Sequence, residues 1–433
     1  MRTYSMHWAA PALIAGALLS GCSGSDDPAP GSHDNLEVAK SGKARLPATA
    51  APSDVAELTQ NNTDFGFELM RTIAPEKNFF YSPHSISIAL AMTYAGAAGS
   101  TKTEMAKALH FNQDDATLNG AFNTLDQALA TRGKNAKGVD GQPFRLTVAN
   151  AAWAQRDYSF LPTYLDTLAE SYGAGINLMD FISDSEGCRK TINGWVADQT
   201  EDRIPELLAE GSVNGATRLV LTNAVYFNAS WDNAFEEEAT QDGAFATLAG
   251  GSVTVPLMHQ GHSYGYTEGA GYQAVDIDYD GNEVSMLVIL PAAGTFEQFE
   301  QSLSAQKLAE IEQSLSSHEV SLTLPRFEVR SREGLSTPLA AMGMPTAFTG
   351  NADFSGMTGN HDLQIQDVIH EAFVKVNEAG TEAAAATAVT MGATAVPDYK
   401  TFEATRPFLF VIRDRATNAS LFVGRIVDPS PQS

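Results

Sequence analysis

Three short motifs in the 433-residue chain contain residues that could carry catalytic or metal-binding chemistry. Residues 261–265 (GHSYG) match the G-x-S-x-G pattern, in which a serine at a sharp strand-to-helix turn is the nucleophile of an α/β-hydrolase. A strand is expected before Ser263, at Val253–Met258, but residues 266–271 carry two glycines, which disfavour the helix that must follow. We therefore interpret the motif as a hairpin turn, and a hydrolase that uses Ser263 is the enzyme alternative.

The other two motifs are incomplete metal sites. Residues 276–281 (DIDYDG) look like the start of an EF-hand calcium loop, but Leu287 stands where that loop needs a bidentate glutamate, so we expect a solvated hairpin. His370-Glu371 begins like the HExxH zinc motif, but Val374 takes the place of the second histidine. No other cluster of Cys and His has metal-ligand spacing, and there is no glycine-rich phosphate loop. The sequence therefore predicts neither a bound metal nor a cofactor.

The segment Val374–Thr394 combines a strand-like start with a long run of small residues. It can pivot at Gly380, and no proline follows before Pro397, so it could complete the hydrogen-bond ladder of a sheet. Side chains of a strand alternate between two faces, and Glu382 is the only charge after the pivot, so one face can be buried completely. Residues 381–394 would extend over about 43–47 Å. Taken alone, the four consecutive alanines favour an exposed helix or linker at least as strongly.

The rest of the chain, from about residue 54 onward, mixes helical and strand-like periods without strict alternation, a second linker or a repeat. This pattern predicts one large α+β domain, residues 54–433. The predicted helices are Val55–Ala74 and Ser85–Ala97, the second of them capped by Ser82-Pro83. The predicted strands include Leu146–Trp153, Arg218–Phe227, Val284–Leu290, Val320–Leu324, Phe408–Ile412 and Leu421–Ile426, and the last two are expected to form a hairpin across a polar turn at Asp414–Asn418.

Ten segments of the chain resemble sequence motifs of the serpin family, and they follow one another along the chain in the order expected of that family. The most specific is residues 378–387 (EAGTEAAAAT), which is similar nearly position by position to the hinge of inhibitory serpins. The others are residues 78–85 (NFFYSPHS), 96–99 (GAAG), 192–196 (INGWV), 221–227 (LTNAVYF), 255–259 (VPLMH), 285–291 (SMLVILP), 324–327 (LPRF), 353–355 (DFS) and 406–410 (RPFLF). The resemblance covers about residues 54–429.

The resemblance implies a serpin fold, with large mixed and antiparallel sheets, peripheral helices and an exposed reactive-centre loop at about residues 378–401. It also implies a suicide inhibitor, whose loop is cleaved by a serine or cysteine protease and then inserts into the main sheet while still joined covalently to the protease. The implied hinge is Glu378, Gly380, Thr381, Glu382, Ala383, Ala384, Ala385, Ala386 and Thr387. The implied shutter, the polar cluster between the central strands, is Ser82, Ser85, Asn223 and His370, and the implied breach, where the loop first enters, contains Trp231. A hydrogen-bonded core histidine is an equally good interpretation of His370.

The position of the reactive bond differs with the direction of counting. Counting forward from the hinge places it between Thr394 and Ala395, whereas counting back from Arg406 points towards Val396, and Met391 is a third candidate. None of these residues is basic, which disfavours a trypsin-like target and favours an elastase-like or subtilisin-like protease, or a broad cysteine protease. A non-inhibitory serpin that acts as a carrier, chaperone or protease substrate is the other alternative, although such proteins usually carry bulky or charged hinge residues.

The N-terminus predicts export and lipidation. Residues 1–21 are interpreted as a signal peptide, because the apolar run Pro11–Leu19 is too short to span a membrane. Residues 19–22 (LSGC) resemble a bacterial lipobox, which implies cleavage before Cys22 and acylation of its thiol, for example with palmitate. Residues 22–53 are rich in Ser, Gly, Pro, Asp and Ala and are predicted to be a flexible tether. We therefore expect a lipid-anchored protein at the outer membrane or surface of a bacterium.

The formal net charge of −25 is spread along the chain and no basic stripe offsets it. An acidic surface repels nucleic acids and anionic glycans, so neither is expected as a partner. With Cys22 acylated, Cys188 has no disulfide partner and is interpreted as a buried apolar side chain. A monomer is expected, with the membrane contacted only through the lipid.

Overall fold

The computed structural model describes residues 36–73, 76–134, 136–138, 144–381 and 400–431, except for the side chains of Thr147 and Val148. Its α-helices are α1 (Pro52–Thr72), α2 (Pro83–Tyr94), α3 (Gly99–Ala108), α4 (Asp115–Leu129), α5 (Pro162–Thr167), α6 (Phe181–Gln199), α7 (Phe296–Ser302), α8 (Ala305–Ser314), α9 (Ser336–Ala341) and α10 (Ser355–Thr358). A π-helical turn, Leu168–Tyr172, continues α5, and 3₁₀ turns lie at Glu237–Ala239 and Pro345–Phe348. None of the described helices has both the length and the hydropathy needed to cross a bilayer.

The strands of the described residues form two sheets. They are β1 (Val38–Ala39), β2 (Phe79–Tyr81), β3 (Arg145–Gln155), β4 (Ile176–Met179), β5 (Leu219–Ser230), β6 (Gln241–Ala246), β7 (Ser252–Gly269), β8 (Tyr272–Asp278), β9 (Val284–Pro291), β10 (Ser316–Pro325), β11 (Phe327–Gly334), β12 (Asp367–Asn377), β13 (Gly380–Thr381), β14 (Lys400–Glu403), β15 (Phe408–Asp414) and β16 (Ala419–Ile426).

The first sheet has seven strands in the order β1-β4-β3-β5-β13-β12-β11. Its two central strands, β5 and β12, pair directly and in parallel from Val220 to Tyr226 and from Asp367 to Phe373. Beyond that stretch they separate, and the two residues of β13 lie between them. All twelve residues of β5 are buried, as expected of a central strand that is covered on both faces.

The second sheet runs β14-β10-β7-β8-β9-β15-β16-β2, and β6 pairs with β7. Its buried residues join those of α1, α2 and α4 in one large hydrophobic core. A second, smaller cluster lies where α6 packs on β3, and it contains Trp153, Ile192 and the buried Cys188. The α+β architecture predicted from the sequence is thus confirmed, and its central sheet has a gap between two strands.

The predicted helices and strands are present, with boundaries shifted by a few residues. At the start of α2, Ser82 is the N-cap and accepts a hydrogen bond from the Ser85 backbone N–H, with Pro83 at the first helical position, as the sequence predicted. The hairpin of β15 and β16 turns at Asp414–Ala419, close to the expected position.

Residues 261–265 lie inside β7 and do not form the predicted hairpin turn. The chain reverses only after Gly269, in the turn that joins β7 to β8. Tyr264 and Tyr266, both buried, continue the period-2 pattern through the glycines, and this pattern keeps the strand intact. The residues 276–281 do lead into a hairpin, but Asp276 is buried and paired with Arg413, so the predicted solvated hairpin is wrong at that position.

Residues 36–50 pack on the domain, whereas the sequence predicted a flexible tether up to residue 53. Val38–Ala39 pairs antiparallel with β4 and extends the edge of the seven-stranded sheet. The Arg45 guanidinium donates to Asn123 (2.9 Å) and to Asp126 (2.6 Å) of α4. Backbone pairing and these polar contacts need no apolar periodicity, which is why the sequence pattern did not reveal them. Residues 36–50 therefore belong to the folded domain.

Candidate functional site

The hinge begins with a tight reversal at the end of β12. Asn377 pairs with Gly380 across the turn, so that β13 runs antiparallel to β12 and back into the sheet. The Asn377 side-chain oxygen accepts hydrogen bonds from the backbone N–H groups of Ala379 (3.0 Å) and Gly380 (3.2 Å). An asparagine that bonds to its own backbone two residues on is a common way to stabilise such a turn. The local sequence thus directs the start of the loop towards the gap between β5 and β12.

Gly380 occupies a position that only glycine fits. Its φ is +151°, and a Cβ atom there would lie 2.3 Å from the carbonyl oxygen of Ala229 and 2.6 Å from the Cα of Ser230. Any larger residue would push the hinge away from β5, because the contact is with backbone that cannot rotate aside. The pivot predicted at Gly380 is therefore a close approach of two backbones.

Thr381 is fully buried between the central strands. It pairs with Val376 of β12 and Ala229 of β5, and its hydroxyl lies 2.7 Å from the Tyr279 hydroxyl. Thr381, one of the implied hinge residues, thus lies within the sheet as the second residue of β13.

Trp231, the predicted breach residue, covers this entry point. Its indole ring stacks on Tyr279 with centroids 4.5 Å apart, and its indole N–H donates to the carbonyl of Asn377 (3.0 Å). The backbone N–H of Trp231 donates to the carbonyl of Ala379 (3.0 Å). Trp231 therefore holds both sides of the turn and closes the end of the gap.

The Glu378 carboxylate ties the same turn to two other parts of the chain, Thr240 just before β6 and Arg326 between β10 and β11. It accepts hydrogen bonds from the Arg326 guanidinium (2.6–2.8 Å) and from the Thr240 hydroxyl (2.5 Å). Burial would raise the pKa of Glu378, but the hydrogen bonds from Arg326 and Thr240 outweigh it and hold the pKa below its usual range. We call Glu378, Arg326 and Thr240 the hinge latch.

The predicted shutter residues are brought together further along the gap. Asn223 of β5 and His370 of β12 are direct partners in the parallel pairing, and their side chains are 2.5 Å apart. The Asn223 amide also donates to Ser85 (2.7 Å), and the Ser82 backbone N–H donates to His370 Nε2 (3.4 Å). One polar network therefore links α2 to both central strands, and satisfies a histidine in the core at the same time.

The protonation state of His370 follows from these contacts. Because Nε2 accepts from a backbone N–H, Nδ1 carries the proton and donates to the Asn223 side-chain oxygen. Complete burial lowers the pKa of His370 to about 3, so the ring is neutral at physiological pH. The shutter is thus held by hydrogen bonds between uncharged groups. Such bonds can be exchanged for others without leaving a buried charge unpaired.

Four residues of this site were missed by the sequence analysis. Asn150 of β3 accepts from Ser85 (3.0 Å) and Asn223 (2.5 Å), and completes the shutter. Tyr279, Arg326 and Thr240 complete the entry point and the hinge latch. Among them, Arg326 alone had a signal in the sequence, because it lies within the LPRF motif. Its contact with Glu378 could not be predicted, because the two residues are far apart in the chain.

Several predicted residues lie outside the described residues. They are the remaining hinge positions Glu382, Ala383, Ala384, Ala385, Ala386 and Thr387, the candidate reactive-bond residues Met391, Thr394, Ala395 and Val396, and the lipidation candidate Cys22.

The arrangement does not provide a hydrolase nucleophile at Ser263. Its hydroxyl is exposed on β7 and lies 2.9 Å from that of Ser317, another exposed serine. No helix follows it, so the strained turn of a nucleophile elbow is missing there. In the described part of the chain, no group of three or more His, Cys, Asp or Glu residues could hold a metal ion.

Comparison with known proteins gives a consistent result. Residues 60–429 match the family model described as "Serpin (serine protease inhibitor)". The leukocyte elastase inhibitor of Bos taurus is 39% identical over 386 residues, which cover 86% of this chain and all of that protein. A serpin-like protein of Thermococcus kodakarensis is 37% identical over 422 residues, or 95% of this chain and 96% of that one.

The structure also resembles solved serpin structures. The native state of the thermophilic serpin Tengpin superposes with a TM-score of 0.80 at 27% identity, over 91% of this chain and all of that one. The family match and the named relatives support protease inhibition as the general function and a protease as the partner. With the matching motifs, the two sheets and the hinge between β5 and β12, the chain belongs to the serpin family.

Proposed function

We propose that this protein is a suicide inhibitor that traps a protease by inserting its cleaved loop between β5 and β12. The observation that carries the proposal is that Gly380 and Thr381 occupy a strand position in that gap, with Thr381 fully buried. β13 runs antiparallel to both β5 and β12, as the start of an inserted strand would.

Insertion is favourable because it replaces one ladder with two. At present β5 and β12 share a single parallel ladder from Val220 to Tyr226. An inserted strand that continues β13 would pair antiparallel with both neighbours, and antiparallel pairing is slightly the more stable per residue. The new strand also buries one face of small side chains, which gains further free energy.

The covalent step uses the protease's own chemistry. The protease serine or cysteine attacks the carbonyl carbon of the scissile bond, the C–N bond breaks, and the new amine leaves with the proton. The loop is then joined to the protease as an ester or thioester. Insertion carries this acyl-enzyme along the sheet before water can hydrolyse it.

The target proposed is an elastase-like or subtilisin-like protease, with a broad cysteine protease as a further option. The candidate bond residues Met391, Thr394, Ala395 and Val396 are all uncharged and of small or medium size. In support, the bovine relative is named for inhibition of leukocyte elastase.

Incubation with a panel of elastase-like, subtilisin-like, papain-like and trypsin-like proteases tests both parts of the proposal. We expect an SDS-stable complex with at least one of the first three, and mass spectrometry of the released C-terminal peptide should place the cut within residues 391–396. The variant Thr381→Arg should be cleaved without forming a complex, because an unpaired guanidinium is too costly to bury at the position of residue 381 between β5 and β12. Thr401→Arg, the same change at an exposed position of β14, is the matched control and should still form the complex.

Two outcomes contradict the proposal. Cleavage by every protease without a covalent complex would indicate a non-inhibitory serpin. A normal complex with Thr381→Arg would indicate that the hinge position in the sheet is irrelevant to inhibition.

We also propose that the protein is exported and anchored through a lipid on Cys22. In support, the LSGC sequence follows a short apolar run, and residues 23–35 could span up to about 43–47 Å between the lipid and the folded domain. Labelling with a clickable palmitate analogue in a bacterial host should mark the wild-type membrane fraction and leave Cys22→Ala unlabelled. Equal labelling of both would exclude this anchor.

A further inference from the structure

The N-terminal segment joins the folded domain at one end of the first sheet. Val38–Ala39 pairs antiparallel with β4, and the Leu178 backbone N–H donates to the carbonyl of Glu37 (2.8 Å). Because β1 is antiparallel to β4, the chain that precedes Glu37 leads away past the C-terminal end of β4. The hydrogen bonds of Arg45 to α4 hold the other end of the segment. The point at which the N-terminal chain leaves the domain is therefore fixed.

This point lies in register with one end of the central strands. Leu178 of β4 pairs with Ala154 of β3, and Ala154 pairs in turn with Leu219, the first residue of β5. With Glu37, these residues form one row across the sheet. We call the end of the sheet that contains this row the exit end. The hinge lies at the opposite end of β5, at Ala229, which is ten residues or about 33 Å from Leu219.

An inserted loop would carry the protease to the exit end. Because β13 runs antiparallel to β5, each further residue of an inserted strand moves one position from Ala229 towards Leu219. Counting in this register places Met391, the first candidate for the reactive bond, opposite Leu219. Four strand spacings separate the inserted strand from β1, or about 19 Å. The trapped protease would therefore arrive beside the point at which the N-terminal chain leaves the domain.

The space available there depends on the length of the predicted tether. Residues 23–35 extend over at most about 43–47 Å, and a random coil of this length has an end-to-end distance of about 18–22 Å. A protease domain of about 220 residues has a radius of gyration of about 17 Å, which corresponds to a sphere about 44 Å across. The trapped protease is therefore about as large as the longest distance that the tether can span.

We propose that the lipid anchor holds the exit end of the sheet towards the membrane. Insertion then carries the trapped protease into the space between the domain and the lipid surface. This inference rests on the two proposals above, loop insertion and a lipid on Cys22. The net charge of −25 opposes adsorption of the domain to an anionic membrane, so the tether sets the width of that space. Tether length thereby determines whether insertion can finish before water hydrolyses the acyl-enzyme.

Energy transfer to the membrane tests the orientation. The chain from Cys22 onward is coupled through the Cys22 thiol to a maleimide phospholipid, in vesicles of phosphatidylethanolamine and phosphatidylglycerol with a rhodamine-labelled lipid. Cys188 is buried and does not compete for the maleimide. A target protease that carries a donor fluorophore is added either active, so that it is trapped, or with its catalytic residue replaced by alanine, so that it stays docked on the loop. We expect strong energy transfer from the trapped protease and weak transfer from the docked one, and equal transfer would overturn the proposal.

Deletion of residues 24–31 tests the role of tether length. Five residues then remain between Cys22 and residue 36, and they span at most about 17–18 Å. On the same vesicles, we expect the yield of covalent complex to fall and the yield of cleaved inhibitor to rise. Replacement of residues 24–31 by eight Gly and Ser residues keeps the length, and this matched control should inhibit like the wild type. Free in solution, the deletion variant should also form the complex as well as the wild type does.

The outcomes separate this inference from the proposals on which it rests. Equal covalent yields of the wild type and the deletion variant on vesicles would overturn it. The same loss of yield in solution would also overturn it, because the deletion would then act through the fold. Failure of the wild type to form a complex in solution would instead refute the proposed inhibition. Absence of the palmitate label in cells would refute the natural anchor, whereas the maleimide coupling supplies an anchor in either case.

Discussion

The hinge latch allows a quantitative test of how the loop is held in the sheet. Glu378→Gln removes the charge but keeps the size of the side chain. The Glu378 side chain is 6% exposed and accepts from two donors, whereas Arg326 is 42% exposed, so water already screens part of the ion pair. A hydrogen bond to a charged group contributes about 1.5–3 kcal/mol, and we expect the free energy of unfolding to fall by about 2 kcal/mol.

The assay is urea unfolding at pH 7, followed by tryptophan fluorescence and analysed at the first cooperative transition. Glu328→Gln is the matched control, because Glu328 pairs with Lys375 at 3.3 Å on the neighbouring strand with both side chains about half exposed. Such a surface pair contributes about 0–1 kcal/mol, so the control should be nearly neutral. A double-mutant cycle of Glu378→Gln with Arg326→Ala isolates the pair itself. If the coupling free energy is zero, or if both glutamine variants lose the same stability, the latch argument is wrong.

The latch also has a defined pH dependence. Because the pKa of Glu378 is lower in the folded protein than in the unfolded chain, its contribution is fully present above the unfolded value of 4.5 and is lost as pH falls through the lower folded value. The stability difference between the wild type and Glu378→Gln should therefore be constant from pH 7 to 5 and shrink below about pH 4.5. A difference that grows on acidification would refute this sign.

Three further substitutions test the shutter, the pivot and the N-terminal segment. His370 is neutral in the folded protein, with a pKa of about 3, but its ring takes up a proton below about pH 6.5 in the unfolded chain. The free energy of unfolding should therefore fall as the pH is lowered from 7 to 5. His370→Gln should remove about 2 kcal/mol of that fall, as measured by urea titrations at the two pH values. Gly380→Ala should lower stability by about 2 kcal/mol or more through backbone clash, whereas Gly120→Ala, in open space on α4, should raise it by up to about 1 kcal/mol; equal thermal shifts would contradict the close approach. Arg45→Ala should cost about 1 kcal/mol and speed hydrogen exchange in β4, and unchanged exchange would mean that Asp126 does not hold the segment.

Much of the fold could be predicted from local pattern. The buried helix α2 was visible from its cap and its proline, and β9 from an apolar run that ends at Pro291. The prediction at residues 261–265 was wrong because glycine signals a turn locally, whereas Tyr264 and Tyr266 are kept in one strand by partners far along the chain. The folded segment 36–50 was missed because its contacts with β4 and α4 are polar and follow no period.

The candidate site shows the same division. Gly380 and Thr381 could be predicted, because they belong to a continuous run of small residues that resembles the hinge of inhibitory serpins. Tyr279 and Arg326 could not be predicted, because they contact the hinge from positions that are 102 and 52 residues away in the chain. A single sequence carries no record of such pairs.

The hinge and the shutter lie on the same two ladders, and the register relates them. Residue 381 pairs with Ala229 of β5 and with Val376 of β12, and each further inserted residue moves one position back along both strands. Continuing this count places Thr387 opposite Asn223 and His370 at once, six positions or about 20 Å beyond Thr381. The same residue would therefore separate the two shutter side chains and offer them a hydroxyl that both donates and accepts. Since His370 is neutral, the proposed insertion would bury no charge at this point, and hydrogen bonds to Thr387 would replace those that now close the gap.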